Sequence, residues 1–131
     1  MLKNIIDLSE GEILNKKILL RVDFNVSINN GVIGEDYRIR MTIPTIEYLI
    51  KRGAKLILAS HLGKPNNHDP KYSLRPVAQR LSEIMRENKV TFVNDCVGKI
   101  VHEEIDKMKS GEILLLENLR FHKGLGVPSK A

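Results

Sequence analysis

The chain has 131 residues, 42% of them hydrophobic and 28% charged, enough for one modest core and unlike the composition of a disordered segment. Lys and Arg outnumber Asp and Glu by 21 to 16, and the net charge of +5 favours anionic partners without separating a nucleic acid from a phosphorylated metabolite. The single cysteine, Cys96, rules out an internal disulfide and a cysteine-based zinc site; with no signal-length or membrane-length apolar run, the chain reads as soluble and cytoplasmic.

Four short apolar runs mark strands buried on both faces: ILLRV at 18–22, KLILAS at 55–60, VTFV at 90–93 and EILLLE at 112–117. After the first comes VSINNGVIGED, whose Asn-Gly pair between apolar residues predicts a small hairpin. Ile39, Ile43, Ile46, Leu49 and Ile50 then make one helical stripe, with Asp36 as a candidate cap, Gly53 as the stop, and Pro44 implying a kink or a late start. Leu74, Val77, Ala78, Leu81, Ile84 and Met85 make a second stripe, with Ser73 at its N-terminus. Val97, Ile100, Val101, Ile105 and Met108 make a third, with Asp95 as its cap. The alternation predicts an α/β fold, a three-layer parallel sheet with a hairpin after the first strand.

In such sheets ligands bind beyond the carboxyl ends of the strands. The first strand exits into Asp23, Phe24 and Asn25, the second into His61, Leu62, Gly63 and Lys64, and the fourth into Asn118, Arg120, His122 and Lys123. Arg38 and Arg40 open the first helix at the same edge. Such a rim cradles an anion, and Asp23 and Asn25 could fix hydroxyl groups. Each residue has a plainer reading: Lys64 and Arg120 as solvated charges, Asp23 as their counter-ion, His61 as a turn residue bonded to backbone. The coincidence of cations at two strand exits favours a site. Cys96 reads as a buried structural thiol and His102 as solvent-facing. His61 and His68 lack a third ligand, so no metal is expected. Gly124 and Gly126 begin a broken Gly-x-Gly, no Walker loop is present, and no nucleophilic triad stands out.

RVDFNV, RIR followed by PTIEYLI, ASHLGKP, KYSLRPVAQRL, the Asp95-Cys96-x-Gly98 stretch and LLLENLRFHK, in this order, resemble the N-terminal half of the phosphoglycerate kinase family over about residues 3–123. The resemblance implies a Rossmann-like N-terminal lobe that holds the glycerate, expected in the strand order 3-2-1-4-5-6. A second lobe would hold Mg-ATP or Mg-ADP. It implies phosphoryl transfer between 1,3-bisphosphoglycerate and ADP, giving 3-phosphoglycerate and ATP. Asp23 and Asn25 would bind the glycerate hydroxyl and adjoining groups, Arg38 would face the carboxyl end as the catalytic cation, and His61, Lys64 and Arg120 would hold the distal phosphate. Two departures stand inside the match: Ser27 where proline is usual, and Lys64 where arginine is common, which keeps charge but loses the bidentate fork.

Residues 124–131, GLGVPSKA, resemble nothing in the family, so the chain is expected to be a truncated, frameshifted or fragmentary lobe that ends after its fourth strand. It would bind no cofactor itself and be inactive alone. Strand 112–117 would become an open aliphatic edge through which copies self-associate. The alternatives are a non-catalytic anion-binding or interaction protein built on the same lobe and, last, a nucleic-acid binder, for which the six Tyr and Phe residues give no stacking pattern.

Overall fold

A computed structural model describes residues 8–65 and 69–122. His68, Lys123 and the 124–131 tail, named above, lie outside the described residues. A one-turn helix α1 (Glu10–Ile13) leads into strand β1 (Lys17–Arg21). The hairpin β2 (Ile28–Asn29) and β3 (Val32–Ile33) precedes helix α2 (Tyr37–Lys51) and strand β4 (Lys55–Ala59). A 3-10 turn (Pro70–Tyr72), helix α3 (Arg75–Ile84), strand β5 (Val90–Val93), helix α4 (Lys99–Asp106), strand β6 (Ile113–Leu116) and a last 3-10 turn (Leu119–Phe121) complete the order.

The four long strands form one parallel sheet, and side chains pointing alternately to its two faces divide the core in two. Leu56 and Leu58 of β4 and Ile113 and Leu115 of β6 face the larger cluster, with Ile13, Phe24, Ile39, Ile46, Leu49, Val77 and Leu81 packed over them. Ile57, Ala59, Val93, Leu114 and Leu116 face a smaller cluster, covered by Val101, Met108 and Cys96. Each fully buried Leu or Ile contributes ~1.5–3 kcal/mol relative to exposure.

The spatial order is β1-β4-β6-β5, not the expected 3-2-1-4-5-6 pattern. Strand 112–117 is therefore no edge: β6 pairs with β4 on one side and β5 on the other, and Ile113 to Leu116 are all buried. Self-association through an exposed edge at 112–117 is ruled out, because its backbone groups are already used in both ladders. The reason is visible in the side chains. β6 is apolar on both faces and demands cover on both, whereas β1 alternates, with Lys17 and Arg21 exposed and Leu19 67% exposed. Among the described residues β1 pairs with β4 alone. Two copies meeting antiparallel about Leu19 would set Lys17 against Arg21, a like-charge pair that disfavours self-pairing.

Local chemistry explains the element ends. Ser9 and Glu12 form a reciprocal capping box around α1, which makes a single turn stable enough to bury Ile13. Asn30 and Gly31 both take positive φ, 53° and 77°, as a two-residue hairpin turn requires. Helix α2 runs through Pro44 from Tyr37, so the start is not late; the bond lost at Pro44 falls on the solvent side. Asp36 does not cap α2 with its side chain. Instead Oδ2 accepts from Arg80 at 2.7 Å and from Arg40 at 3.0 Å, tying α2 to α3, and the Arg80 hydrogen bond holds the carboxyl below its ordinary 3.8. Asp95 lies four residues ahead of α4, where Gly98 is the cap, and Val97 and Ile100 are exposed, so the third stripe is narrower than its periodicity suggests. Gly53 ends α2 with φ +87°, and a Cβ there would stand 2.6 Å from Leu14.

The sheet order makes a contrast that denaturation can measure. Leu115→Ala in the doubly covered β6 is expected to cost ~2–5 kcal/mol. Leu19→Ser on the outer β1 should stay within ~0.5 kcal/mol. Comparable losses at both positions in urea unfolding would contradict this order.

Candidate active-site rim

The rim is assembled from the exits of β1, β4 and β6. At the first, Phe24 is fully buried and pins the loop to the core, which leaves Asp23 exposed and Asn25 half-buried on either side of it. The Phe24 N–H donates to Ser60 Oγ at 3.0 Å, and that hydroxyl donates to the His61 carbonyl at 2.9 Å, so the exits of β1 and β4 are clamped by one buried serine.

Asp23 Oδ1 accepts from the Asn25 N–H at 3.1 Å and from Arg38 Nη1 at 3.3 Å, while the same Arg38 nitrogen donates to the Asn25 carbonyl at 2.9 Å. The first turn of α2 thus aims Arg38 at the β1 exit. Arg40, two residues on, pairs with Asp36 rather than with the rim groups.

Gly63 joins the other two exits. Its N–H donates to Asn25 Oδ1 at 2.9 Å, and its carbonyl accepts from Arg120 Nη1 at 2.9 Å. Its φ of +58° suits glycine, and a Cβ would meet the Tyr72 ring at 2.5 Å. Arg120 is positioned by Asn118, whose Oδ1 accepts the Arg120 N–H at 2.9 Å. Beneath this turn Glu117, 3% exposed, accepts from Ser73 Oγ at 2.7 Å and from the Leu74 and Asn118 N–H groups at 2.8 Å each.

His61 is half-buried in this cationic field. Burial lowers its pKa below the ordinary 6.5, Arg120, Arg21 and Arg38 push in the same direction, and Asp23 alone opposes them. Its Nδ1 is buried without a hydrogen-bond partner among the described residues. A neutral imidazole short of a partner beside three guanidinium groups is a place where an anion would relieve two costs at once.

Five of the six expected residues, Asp23, Asn25, Arg38, His61 and Arg120, are therefore linked by hydrogen bonds or close electrostatics. Lys64 is exposed and makes no ion pair or hydrogen bond among the described residues; only its bond to Gly63 keeps it at the rim. His122 turns to Asp95, 2.8 Å from its Nε2, and does not join the rim. Sequence reasoning passed over Arg21, Ser60 and the structural roles of Gly63, Glu117 and Asn118. Arg21 could have been found as the last polar residue of β1; the others act through buried bonds that no linear spacing reveals. Beside Gly63 a cleft of about 90 Å³ is lined by Asn25, Leu62 and Tyr72, too small for a nucleotide.

Comparison with known proteins identifies the family. The family model for phosphoglycerate kinase matches residues 8–126. The phosphoglycerate kinase of Dictyoglomus turgidum is 50% identical over 121 residues, 92% of this chain and 30% of that protein. That of Plasmodium falciparum is 50% identical over 133 residues, 97% of this chain and 32% of its own length. The crystal structure of phosphoglycerate kinase from Pyrococcus horikoshii superposes with a TM-score of 0.78 at 40% identity, covering 86% of this chain and 27% of that one. The chain thus spans about 30% of the length of the curated relatives it matches. By the match over residues 8–126 and these identities, the chain belongs to the phosphoglycerate kinase family.

Proposed function

We propose that this chain is the glycerate-binding part, residues 1–123, of a phosphoglycerate kinase, taking 3-phosphoglycerate or 1,3-bisphosphoglycerate on the rim formed by Asp23, Asn25, Arg38, His61, Lys64 and Arg120. In the complete reaction the acyl-phosphate bond of 1,3-bisphosphoglycerate breaks, a phosphoryl–oxygen bond forms to ADP, and a carboxylate is left on the glycerate. The observation that supports the reading is the Gly63 bridge, which holds the Asn25 amide, a group suited to a hydroxyl, and the Arg120 guanidinium, a group suited to a phosphate, on opposite sides of one residue.

Phosphoryl transfer asks for positioning and charge neutralisation more than for covalent help. Arg38 has the form for the catalytic cation, a planar fork that matches phosphate oxygens, and sits beside the polar pair that would orient the substrate hydroxyl. Its bond to Asp23 is between side chains 51% and 63% exposed, a pair worth ~0–1 kcal/mol, so substrate can take the guanidinium at little cost. The distal phosphate would meet Arg120, His61 and Lys64.

Mg-ATP or Mg-ADP fits these residues poorly. The adjoining cleft is small, and a cationic rim offers no carboxylate pair for magnesium. The nucleotide would thus be held by other parts of a whole enzyme, and this chain alone would not turn over. Among the described residues no helix is long and apolar enough to cross a membrane. The buried free thiol of Cys96 supports a reducing compartment such as the cytoplasm.

Titration with 3-phosphoglycerate should move the amide resonances of Asn25, Gly63 and Arg120 together and leave those of α4 in place. Arg120→Ala should weaken binding about 10- to 100-fold, the loss of a charge-assisted bond worth ~1.5–3 kcal/mol. Arg38→Ala should weaken it by less than about 5-fold if its work is reserved for the transition state. Shifts spread evenly over the surface, or an Arg120 variant that binds normally, would reject the reading.

His61 gives a second test through pH. With its folded pKa below 6.5, both folded and unfolded chains carry the neutral ring above that pH, and the unfolded chain protonates first as pH falls. Stability should therefore decline below pH 6.5, less steeply in His61→Gln. The His61 ring titration followed by NMR should have its midpoint below 6.5 in the free chain and move upward when 3-phosphoglycerate is added, because the phosphate favours the charged ring. A midpoint unchanged by ligand would remove His61 from the phosphate site.

A further inference from the structure

Away from the glycerate rim, the adjacent exits of β5 and β6 bring together three groups that the proposed reaction does not use. Asp95 and Cys96 follow β5, His122 follows β6, and the Glu117 N–H donates to the Asp95 carbonyl at 3.1 Å, locking the two exits side by side. One ligand atom from each of the three side chains lies within 4.8 Å of the other two.

Their environments differ in a useful way. Cys96 is only 7% exposed, and its sulfur makes no hydrogen bond among the described residues. Asp95 and His122 are about one-third exposed, 32% and 33%, and so form the mouth of the site. Burial pushes the Asp95 carboxyl up, but the His122 hydrogen bond and the N–H groups of Cys96 and Val97 outweigh it and leave the group ionised below its ordinary value. Burial, with Asp95 and Glu117 nearby, pushes the Cys96 thiol up to about 11. A Cys-His-Asp grouping could suggest a nucleophile, yet a thiol held protonated at neutral pH is not one. The donors in the cluster, one sulfur, one imidazole nitrogen and one carboxylate, are those that thiophilic divalent cations choose.

We propose that Asp95, Cys96 and His122 form a binding site for a thiophilic divalent cation of the zinc class. A lone cysteine excludes a site of several thiolates, but one thiolate joined by an imidazole and a carboxylate is a sufficient protein set, with water completing a tetrahedron. On binding, the sulfur–metal bond forms as the thiol proton leaves to solvent, His122 supplies the Nε2 lone pair in its neutral form, and Asp95 supplies a carboxylate oxygen. A dication with one thiolate and one carboxylate sums to zero charge, which suits a largely buried position. The ion replaces the His122–Asp95 hydrogen bond by a bridge between the same two residues, so little rearrangement is needed.

Cobalt(II) is the probe, because sulfur ligation and tetrahedral geometry both show in its absorption. The chain should bind one equivalent of Co²⁺ with a thiolate-to-cobalt charge-transfer band and intense visible bands, and release one proton per ion. Zinc should displace it and magnesium should not. Cys96→Ser should abolish the charge-transfer band, and Asp95→Asn and His122→Gln should each weaken binding at least about 10-fold. Titration of the unaltered chain decides the matter before any variant is made: no stoichiometric binding, or binding without the sulfur band, overturns the proposal. Equal affinity in His122→Gln, with unchanged circular dichroism, also overturns it.

Discussion

The side-chain amide of Asn118 is fully buried, and every one of its hydrogen-bonding capacities is used. Oδ1 accepts from the Leu62 and Arg120 N–H groups, and Nδ2 donates to the carbonyls of Leu62 and Tyr72. Three chain segments that are remote in sequence, the β4 exit, the 70–72 turn and the β6 exit, are thereby held at fixed separations. In a buried site an amide with one partner missing is costly, so the arrangement tolerates little drift. The position of Gly63, and through it the placement of Asn25 against Arg120, depends on this one residue. A rim of cations assembled from loops would otherwise repel itself open.

Glu117 does the same from below. It is a buried carboxylate whose oxygens take three donors, two from the start of the segment leading into α3 and one from the backbone of Asn118. Apolar burial positions the strands to within a register, but it is indifferent to where a strand ends. The exits are decided by directional bonds, and for that reason the site's geometry is held by Ser60, Glu117 and Asn118, the three buried polar residues among those described. The residues facing solvent need no such rigidity in themselves. Arg38 and Asp23 pair loosely across the surface and can exchange partners.

The pattern of apolar residues carried most of the fold in advance. Helix stripes at 39–50 and 74–85 bury most of the residues their periodicity selects, with Ile43 and Ile84 only partly buried, the Asn30-Gly31 turn has its expected form, and the strand runs lie within two residues of the observed elements. Strand order was not legible, because a continuous apolar run says that a strand is covered on both faces without saying by which neighbours. One clue was present and went unused: Lys17 and Arg21 bracket β1 with charge at alternate positions, as outer strands commonly do. The rim residues were legible as exits from strands. Their connections were not, since Gly63 to Asn25 and Arg120 to Gly63 span 38 and 57 residues. Asp95 failed as a helix cap for a related reason: its carboxylate does bind the next two N–H groups, but Gly98 turns the chain with φ +101° before α4 begins.

The two faces of the sheet differ in how they are covered, and this difference separates two kinds of site. The larger face lies under α1, α2 and α3, and its polar edge carries Arg38 and the loops around Asn25 and Gly63, a surface of excess positive charge suited to phosphates. The smaller face lies under α4, and its polar edge carries Asp95 and the buried thiol, where negative charge gathers once the thiol ionises. β6 ends between them, sending Arg120 to the Gly63 carbonyl at the edge that carries Arg38 and His122, two residues later, to Asp95 at the other edge. The 3-10 turn Leu119–Phe121 carries the first of these two side chains and is anchored at its start by Asn118, whose side chain accepts the Arg120 N–H. The opposed electrostatics of the two edges therefore follow from one strand that is central to the sheet, and would not arise had β6 stood at its margin.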